Sequence, residues 1–179
     1  NWTTFIRNSE LVIRNSLISL IVDNKKILEN FYQACADKDI EKMVSYYDDA
    51  IRCYDPAFGR LEGEDAKNMW RMLMARSKGA ITITFKDVRA NVKTGTAFWQ
   101  AEYIYRQTGR KVINKISAEF EFKDGKIISH TDNFDLWKWS KQAFGWKGYL
   151  LGWTSFFQNK IREQALKLLM EYKKKWIAS

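Results

Sequence analysis

From Ala80 to Trp137 apolar and polar residues alternate almost without interruption, and three turn signals divide the run into four. Lys93-Thr94-Gly95, Thr108-Gly109-Arg110 and Asp124-Gly125 supply the glycines that hairpins favour. The intervening segments, Ile81–Val92, Thr96–Gln107, Val112–Lys123 and Lys126–Trp137, are predicted strands. Connections this short oblige each strand to pair antiparallel with the one before it. A chain committed to such a meander must cover one of its faces, and only the flanking segments remain to do so.

Successive side chains on a strand point to opposite faces, so the inner face can be read from the pattern. On the third strand Val112, Asn114, Ile116, Ala118, Phe120 and Phe122 share one side, with Lys111, Lys115, Glu119, Glu121 and Lys123 on the other. On the second strand Ala97, Trp99, Ala101, Tyr103 and Tyr105 form the corresponding apolar, aromatic side. On the last, Ile128, His130, Asp132, Phe134 and Leu136 are in phase. Asn114, His130 and Asp132 are thus polar residues on an otherwise apolar face, a placement that needs partners or a function.

Three helices are expected before the meander. Asp23 or Asn24 can cap the first, which runs to about Ala36 with Ile27, Phe31 and Ala34 or Cys35 on one side. Asp39 can cap the second, where Ile40, Met43, Val44 and Tyr47 recur at helical spacing. The third covers Glu64 to Lys78, turns Ala66, Met69, Trp70 and Leu73 inward and stops at Gly79. The fold class is therefore α+β: a curved antiparallel sheet with helices packed on one side. Residues 1–23 read as an N-terminal extension, 24–137 as the domain and 138–179 as a basic, aromatic extension. From Thr154 to about Trp176 that extension forms an amphipathic helix with Phe157, Ile161, Ala165, Leu168 and Tyr172 on one stripe. Packing on its own domain or a second subunit is the expected use of the stripe; contact with a membrane surface is the alternative.

Several function classes are disfavoured. The net charge of +9 suggests nucleic acid, but it is concentrated in the tail: residues 138–179 hold nine Lys or Arg against two Glu, and residues 1–137 hold twenty-one against nineteen acidic residues. No nucleic-acid motif accompanies it. Cys35 and Cys53 lack metal or disulfide spacing and read as free thiols in a cytoplasmic protein, and with His130 the sole histidine a metal site is not expected. No phosphate loop, GxSxG elbow or strand-associated GxGxxG occurs, so no cofactor is expected either. No apolar run approaches the roughly 20 residues of a membrane-spanning helix. The chain opens on Asn1 rather than Met, which suggests processing or a fragment and leaves room for a removed signal peptide.

The chemistry is expected where Asp55 ends the short apolar strand Ile51–Tyr54, immediately before Pro56. Proline cannot continue a sheet and biases its predecessor to extended geometry, so Asp55 should stand at a rim. In a hollow lined by Phe58, Trp70, Trp99, Tyr103 and Phe134, its carboxyl would hold a proton more tightly than in water. The expected roles are proton transfer by Asp55, partnership by His130, orientation of His130 or a water by Asp132, and contact with a substrate oxygen by Asn114 with Tyr32 or Tyr47. The plainer alternatives are an Asx turn at Asp55 and a satisfied polar network of His130, Asp132 and Asn114.

The segments FYQACADKDIEKMVSYYDDAIRCYDPAFG, GEDAKNMWRML and FEFKDGKIISHTDNFD together resemble the nuclear transport factor 2-like superfamily, in its SnoaL-like and ketosteroid isomerase-like branch, over about residues 24–137. The resemblance implies a sheet curled into a cone around three helices, with a pocket for a small apolar molecule, often in a homodimer. It also implies that Asp55 stands at the position of the isomerase's base, and Tyr47 at that of a tyrosine supporting the oxyanion hole. The oxyanion tyrosine itself falls on Phe31, beside Tyr32, and its aspartic acid partner on Ala118. Loss of even one such donor costs roughly 3 kcal/mol, which argues against steroid isomerisation in that form. The Arg-x-Asp of limonene epoxide hydrolases is missing from VINKISAEFEF, whereas the SnoaL-like pattern fits through His130 and Asp132. The function implied is a cofactor-independent isomerase, cyclase or hydrolase-like enzyme. The alternative is a non-catalytic ligand-binding or dimeric assembly module whose cone is filled by its own side chains.

Overall fold

A computed structural model describes residues 2–177; Asn1, with the processing it suggests, lies outside them. The meander is present as β3 (Ile81–Ala90), β4 (Thr94–Tyr105), β5 (Arg110–Lys123) and β6 (Lys126–Asn133). Ahead of it come α1 (Trp2–Ala36), α2 (Ile40–Ser45), β1 (Tyr47–Asp55), β2 (Gly59–Glu62) and α3 (Gly63–Ser77). After it come α4 (Leu136–Phe144), α5 (Trp146–Leu151) and α6 (Ser155–Ile177). The six strands form one curved, unclosed sheet in the order β2-β1-β6-β5-β4-β3.

The sheet is mixed rather than purely antiparallel, because β1 lies parallel to β6, with Cys53 opposite His130 and Tyr54 opposite Thr131. Tyr47, Ile51 and Cys53 point into the core from β1. That phase puts Asp55 on the same inner face, and continuing the register by one residue brings it level with Asp132. The first and last strands of the expected domain are thereby neighbours, which no local signal in the sequence reveals.

Four local expectations are corrected. Asp23 and Asn24 begin no helix, because α1 already extends from Trp2; Asn24 instead donates from its buried amide to the carbonyls of Asn91 (2.9 Å) and Val92 (3.0 Å), tying α1 to the β3–β4 turn. Tyr47 is not the end of the second helix's stripe but the first residue of β1, since α2 ends at Ser45. On β6, Ile127 rather than Ile128 is buried, because the β5–β6 register shifts between Glu121 and Phe122; His130 and Asp132 keep the inward phase. The last strand stops at Asn133, since Asp135 accepts a hydrogen bond from the Lys138 N–H (2.9 Å) and caps α4. Asp39 caps α2 as expected, accepting from Lys42 N–H at 3.1 Å.

The α6 stripe packs on its own domain: Ile161 and Leu169 are buried, and Ala165, Leu168 and Tyr172 lie against the main core. Among the described residues no helix is long and apolar enough to cross a membrane.

Helices α4 and α5 are in contact at glycine. A Cβ added at Gly148 would lie 1.9 Å from the Ser140 carbonyl oxygen, far inside any permitted approach. Gly148→Ala is therefore expected to push α5 off α4 at a cost of about 1–3 kcal/mol or more, read as a Tm lower by several degrees. An unchanged Tm would mean that the two helices do not pack as described.

Candidate active site

A cavity of about 410 Å³ opens between the concave face of the sheet, α3 and the C-terminal helices. Most of its wall is apolar, from Phe58, Trp70, Trp99, Ile83, Phe134 and Leu168 among others. The cone is therefore not filled by its own side chains. Of the residues expected to form the site, Asp55, Phe58, Trp70, Trp99, Tyr103, Asn114 and Phe134 line this space. Tyr32, Tyr47, His130 and Asp132 do not; they are packed behind the wall at 1–3% exposure.

Asp55 is the one Asp or Glu on the cavity wall among the described residues. Its Oδ1 accepts from the backbone N–H groups of Ala57 (2.6 Å) and Phe58 (3.1 Å), an Asx turn made possible by Pro56. The turn fixes the carboxyl and leaves Oδ2 for a ligand. Burial, reinforced by the Asp132 carboxylate, pushes the Asp55 pKa up to about 7, against the opposing pull of the two amide bonds and His130. The side chain is half-buried, but the surface it retains faces the cavity rather than bulk water, so desolvation still acts on it.

Tyr103 is the second polar group. Its hydroxyl oxygen accepts from the Trp139 indole N–H at 2.8 Å, which leaves its own proton to be donated elsewhere. Burial and the nearby Asp55 charge push its pKa up to about 12, with the Trp139 bond acting in the opposite direction. At neutral pH Tyr103 is a donor. Asn114 adds a side-chain amide to the same wall.

Behind the wall, His130 and Asp132 are closer than their strand spacing suggests. His130 Nε2 lies 3.1 Å from Asp132 Oδ1, and His130 Nδ1 lies 2.6 Å from the Tyr47 hydroxyl. Trp99 donates its indole N–H to the same Asp132 oxygen at 2.9 Å. The imidazole is stacked against Phe120 (ring centroids 4.3 Å apart) and parallel to Trp70 (6.0 Å). Every polar atom of His130 is thus engaged in a closed network, and its direct partnership with Asp55 across a shared hollow is corrected to an indirect one. Asp132 acts on Asp55 through its charge. The Tyr32 hydroxyl has no hydrogen-bond partner and is enclosed by Phe31, Phe85, Trp99 and Phe120, behind the cavity wall rather than on it.

The inward-facing carboxyl on β1, the aromatic wall on β4 and the buried His130 on β6 all fall in residues 28–130, the part of the chain that matches the SnoaL-like domain, with Asp132 just beyond its end. The chain belongs to the SnoaL-like domain family. Similar solved structures include a proposed polyketide cyclase from Xanthomonas campestris pv. campestris, 16% identical, covering 69% of this chain and 98% of its own, with a TM-score of 0.58. An epoxide hydrolase of M. tuberculosis, likened to the limonene enzyme group, is 18% identical over 74% of this chain and 92% of its own, with a TM-score of 0.53. SalBIII, an epoxide hydrolase/cyclase-like enzyme of pyran ring formation in the polyether salinomycin, is 18% identical over 63% and 90%, with a TM-score of 0.55. No curated protein matches the chain. At these identities the likeness is one of fold.

This SnoaL-like domain takes part of its cavity from beyond the matched segment. Trp139 and Phe144 of α4 and Phe157, Ile161, Ala165 and Leu168 of α6 line it, and of these Trp139 positions the Tyr103 hydroxyl. In the sequence Trp139 falls in the basic, aromatic extension that follows the expected domain. A signal was present: Leu136, Trp139, Ser140 and Ala143 recur at helical spacing after a capping Asp135, and all four are buried.

Proposed function

We propose that this SnoaL-like domain is an acid/base enzyme that transfers a proton on a small, mostly apolar substrate bearing a carbonyl or epoxide oxygen. The observation that carries the reading is a solitary cavity carboxyl, fixed through one oxygen and held near a pKa of about 7, in a space that also contains a hydroxyl donor. A base is most effective when its pKa lies near the working pH. As carboxylate, Asp55 would take a proton from carbon beside a carbonyl, or from a water or hydroxyl attacking an epoxide. Tyr103 would donate to the oxygen on which negative charge grows, aided by Asn114, and the protonated Asp55 would then return its proton to the product. Proton transfers of this kind serve isomerisation, cyclisation and addition of water alike. Polyketide cyclisation and epoxide opening, named for structural neighbours, fall in this class.

The test is turnover of a panel of apolar ketones, lactones and epoxides by the wild type and by Tyr103→Phe. The variant keeps the ring and its packing but loses the donor, and kcat is expected to fall about 10²–10³-fold with KM little changed. Equal kcat in the two proteins would remove Tyr103 from the reaction. Tight binding without turnover of any compound would instead assign a binding module.

A further inference from the structure

Residues 146–156 reverse the normal arrangement of a surface helix. In α5 the small residues face inward: Gly148 touches the Ser140 carbonyl, and a Cβ at Gly152 would lie 2.7 Å from the Ser140 Cβ. The large apolar side chains face out. Trp146, Tyr149, Leu150, Leu151, Trp153 and Phe156 are each 50–72% exposed, although a surface helix ordinarily buries its apolar stripe. The Trp137 indole N–H bonds to the Tyr149 carbonyl at 3.2 Å, so this ridge is held against α4. Lysines accompany it: Lys147 Nζ lies 5.8 Å from the Trp146 ring centroid and Lys160 Nζ 5.9 Å from that of Phe156.

The ridge also borders the cavity. Lys147 and Lys160 are exposed and line it, and so do Phe144 and Phe157, one or two residues from Trp146 and Phe156. The other ionisable groups on that wall, apart from Asp55 and the tyrosines, are Arg76 and Arg106. The wall therefore carries four cations and, among the described residues, no acid but Asp55; one of the four, Lys160, is paired with the exposed Glu163 at 2.7 Å, so the uncompensated charge beside the ridge comes from Lys147, Arg76 and Arg106. Exposed Trp and Tyr beside Lys and Arg is the composition that seats a protein at the boundary of acyl chains and anionic headgroups.

We propose that residues 146–156 dock this chain on an anionic lipid bilayer with the cavity mouth turned to the lipid, so that an apolar molecule dissolved in the membrane can pass directly to Asp55. The docking stands on the ridge and the charge around it; the choice of a membrane-dissolved substrate rests on the acid/base reading given above. The stripe on α6 is not the contact, because it is spent on the domain's own core.

Sedimentation with vesicles of phosphatidylcholine alone, and of phosphatidylcholine containing phosphatidylserine, tests the proposal on the full chain. The wild type should partition to the anionic vesicles, less to the neutral ones, and lose binding as salt rises. Combined Trp146→Ser, Trp153→Ser and Phe156→Ser should reduce partitioning at least about tenfold while leaving circular dichroism and Tm within the wild-type range. Asp55→Asn should bind vesicles like the wild type, which separates failure of the catalytic reading from failure of docking. Absence of anionic-vesicle binding would overturn the proposal, as would a triple variant that binds equally well. A wild-type dimer that the triple substitution converts to monomer, with no vesicle binding by either, would assign the ridge to a second copy and likewise overturn it.

Discussion

Asp55→Asn is expected to lower kcat about a thousandfold and, above neutral pH, to make the protein more stable. The first effect follows from the contribution of a positioned acid or base, commonly 10²–10⁴-fold. The asparagine oxygen can still accept the Ala57 and Phe58 N–H bonds, so the turn and the cavity should survive. The second effect follows from linkage. An unfolded aspartate ionises near 3.8, whereas the folded Asp55 does so near about 7, so the folded state binds this proton more tightly. Below pH 3.8 both states are protonated and ionisation of Asp55 costs the fold nothing. As pH rises to about 7 the unfolded chain ionises first and stability falls; above it the full penalty, at most about 4 kcal/mol, is present. Asparagine carries no such penalty. Urea melts at pH 5 and pH 8 should therefore show an advantage for the variant that is larger at pH 8. Equal advantages at both would mean that Asp55 is not desolvated in the fold.

His130→Ala is expected to act on the fold rather than on the chemical step. It takes the imidazole from the Asp132 carboxylate, which keeps the Trp99 indole, leaves the Tyr47 hydroxyl with only the weak Cys53 thiol, and opens a void between Phe120 and Trp70. Losses of this type come to about 3–5 kcal/mol, which for a domain of this size lowers Tm by roughly 10 °C. Asp132→Asn separates positioning from chemistry. Its side-chain oxygen can still accept from Trp99 and His130, but the negative charge beside Asp55 is gone, so the Asp55 pKa should fall. Turnover should persist, with the acidic limb of the pH–rate profile displaced to lower pH. Abolished turnover in a folded Asp132→Asn would instead make Asp132 a catalytic residue.

Local chemistry made much of this legible from sequence. The hairpin glycines and two-residue period located β3, β4 and β5, and the proline after Asp55 located the rim and its Asx turn. Tyr47 was misplaced because residues 40, 43, 44 and 47 satisfy a helical period, while the strand that claims Tyr47 is stabilised by pairing with Ile127, eighty positions away. That parallel pairing also sets the distance between Asp55 and Asp132, and no periodicity encodes it. Inward phase alone could not decide whether His130 would face a void or a wall. The outcome depends on Trp70 and Phe120 closing over the imidazole from two different elements. The stripe on α6 packs on its own domain, one of the two uses expected of it, but that it also walls the cavity is settled by what stands opposite it and not by its periodicity.

The most direct test is to titrate the Asp55 carboxyl by NMR in protein carrying ¹³C-labelled aspartate, with Asp55→Asn supplying the assignment. A midpoint near pH 7 in the free protein, displaced when an apolar ligand occupies the cavity, is the predicted result. A midpoint near 4, unaffected by any cavity ligand, would contradict the account, because the carboxyl would then be an ordinary solvated aspartate.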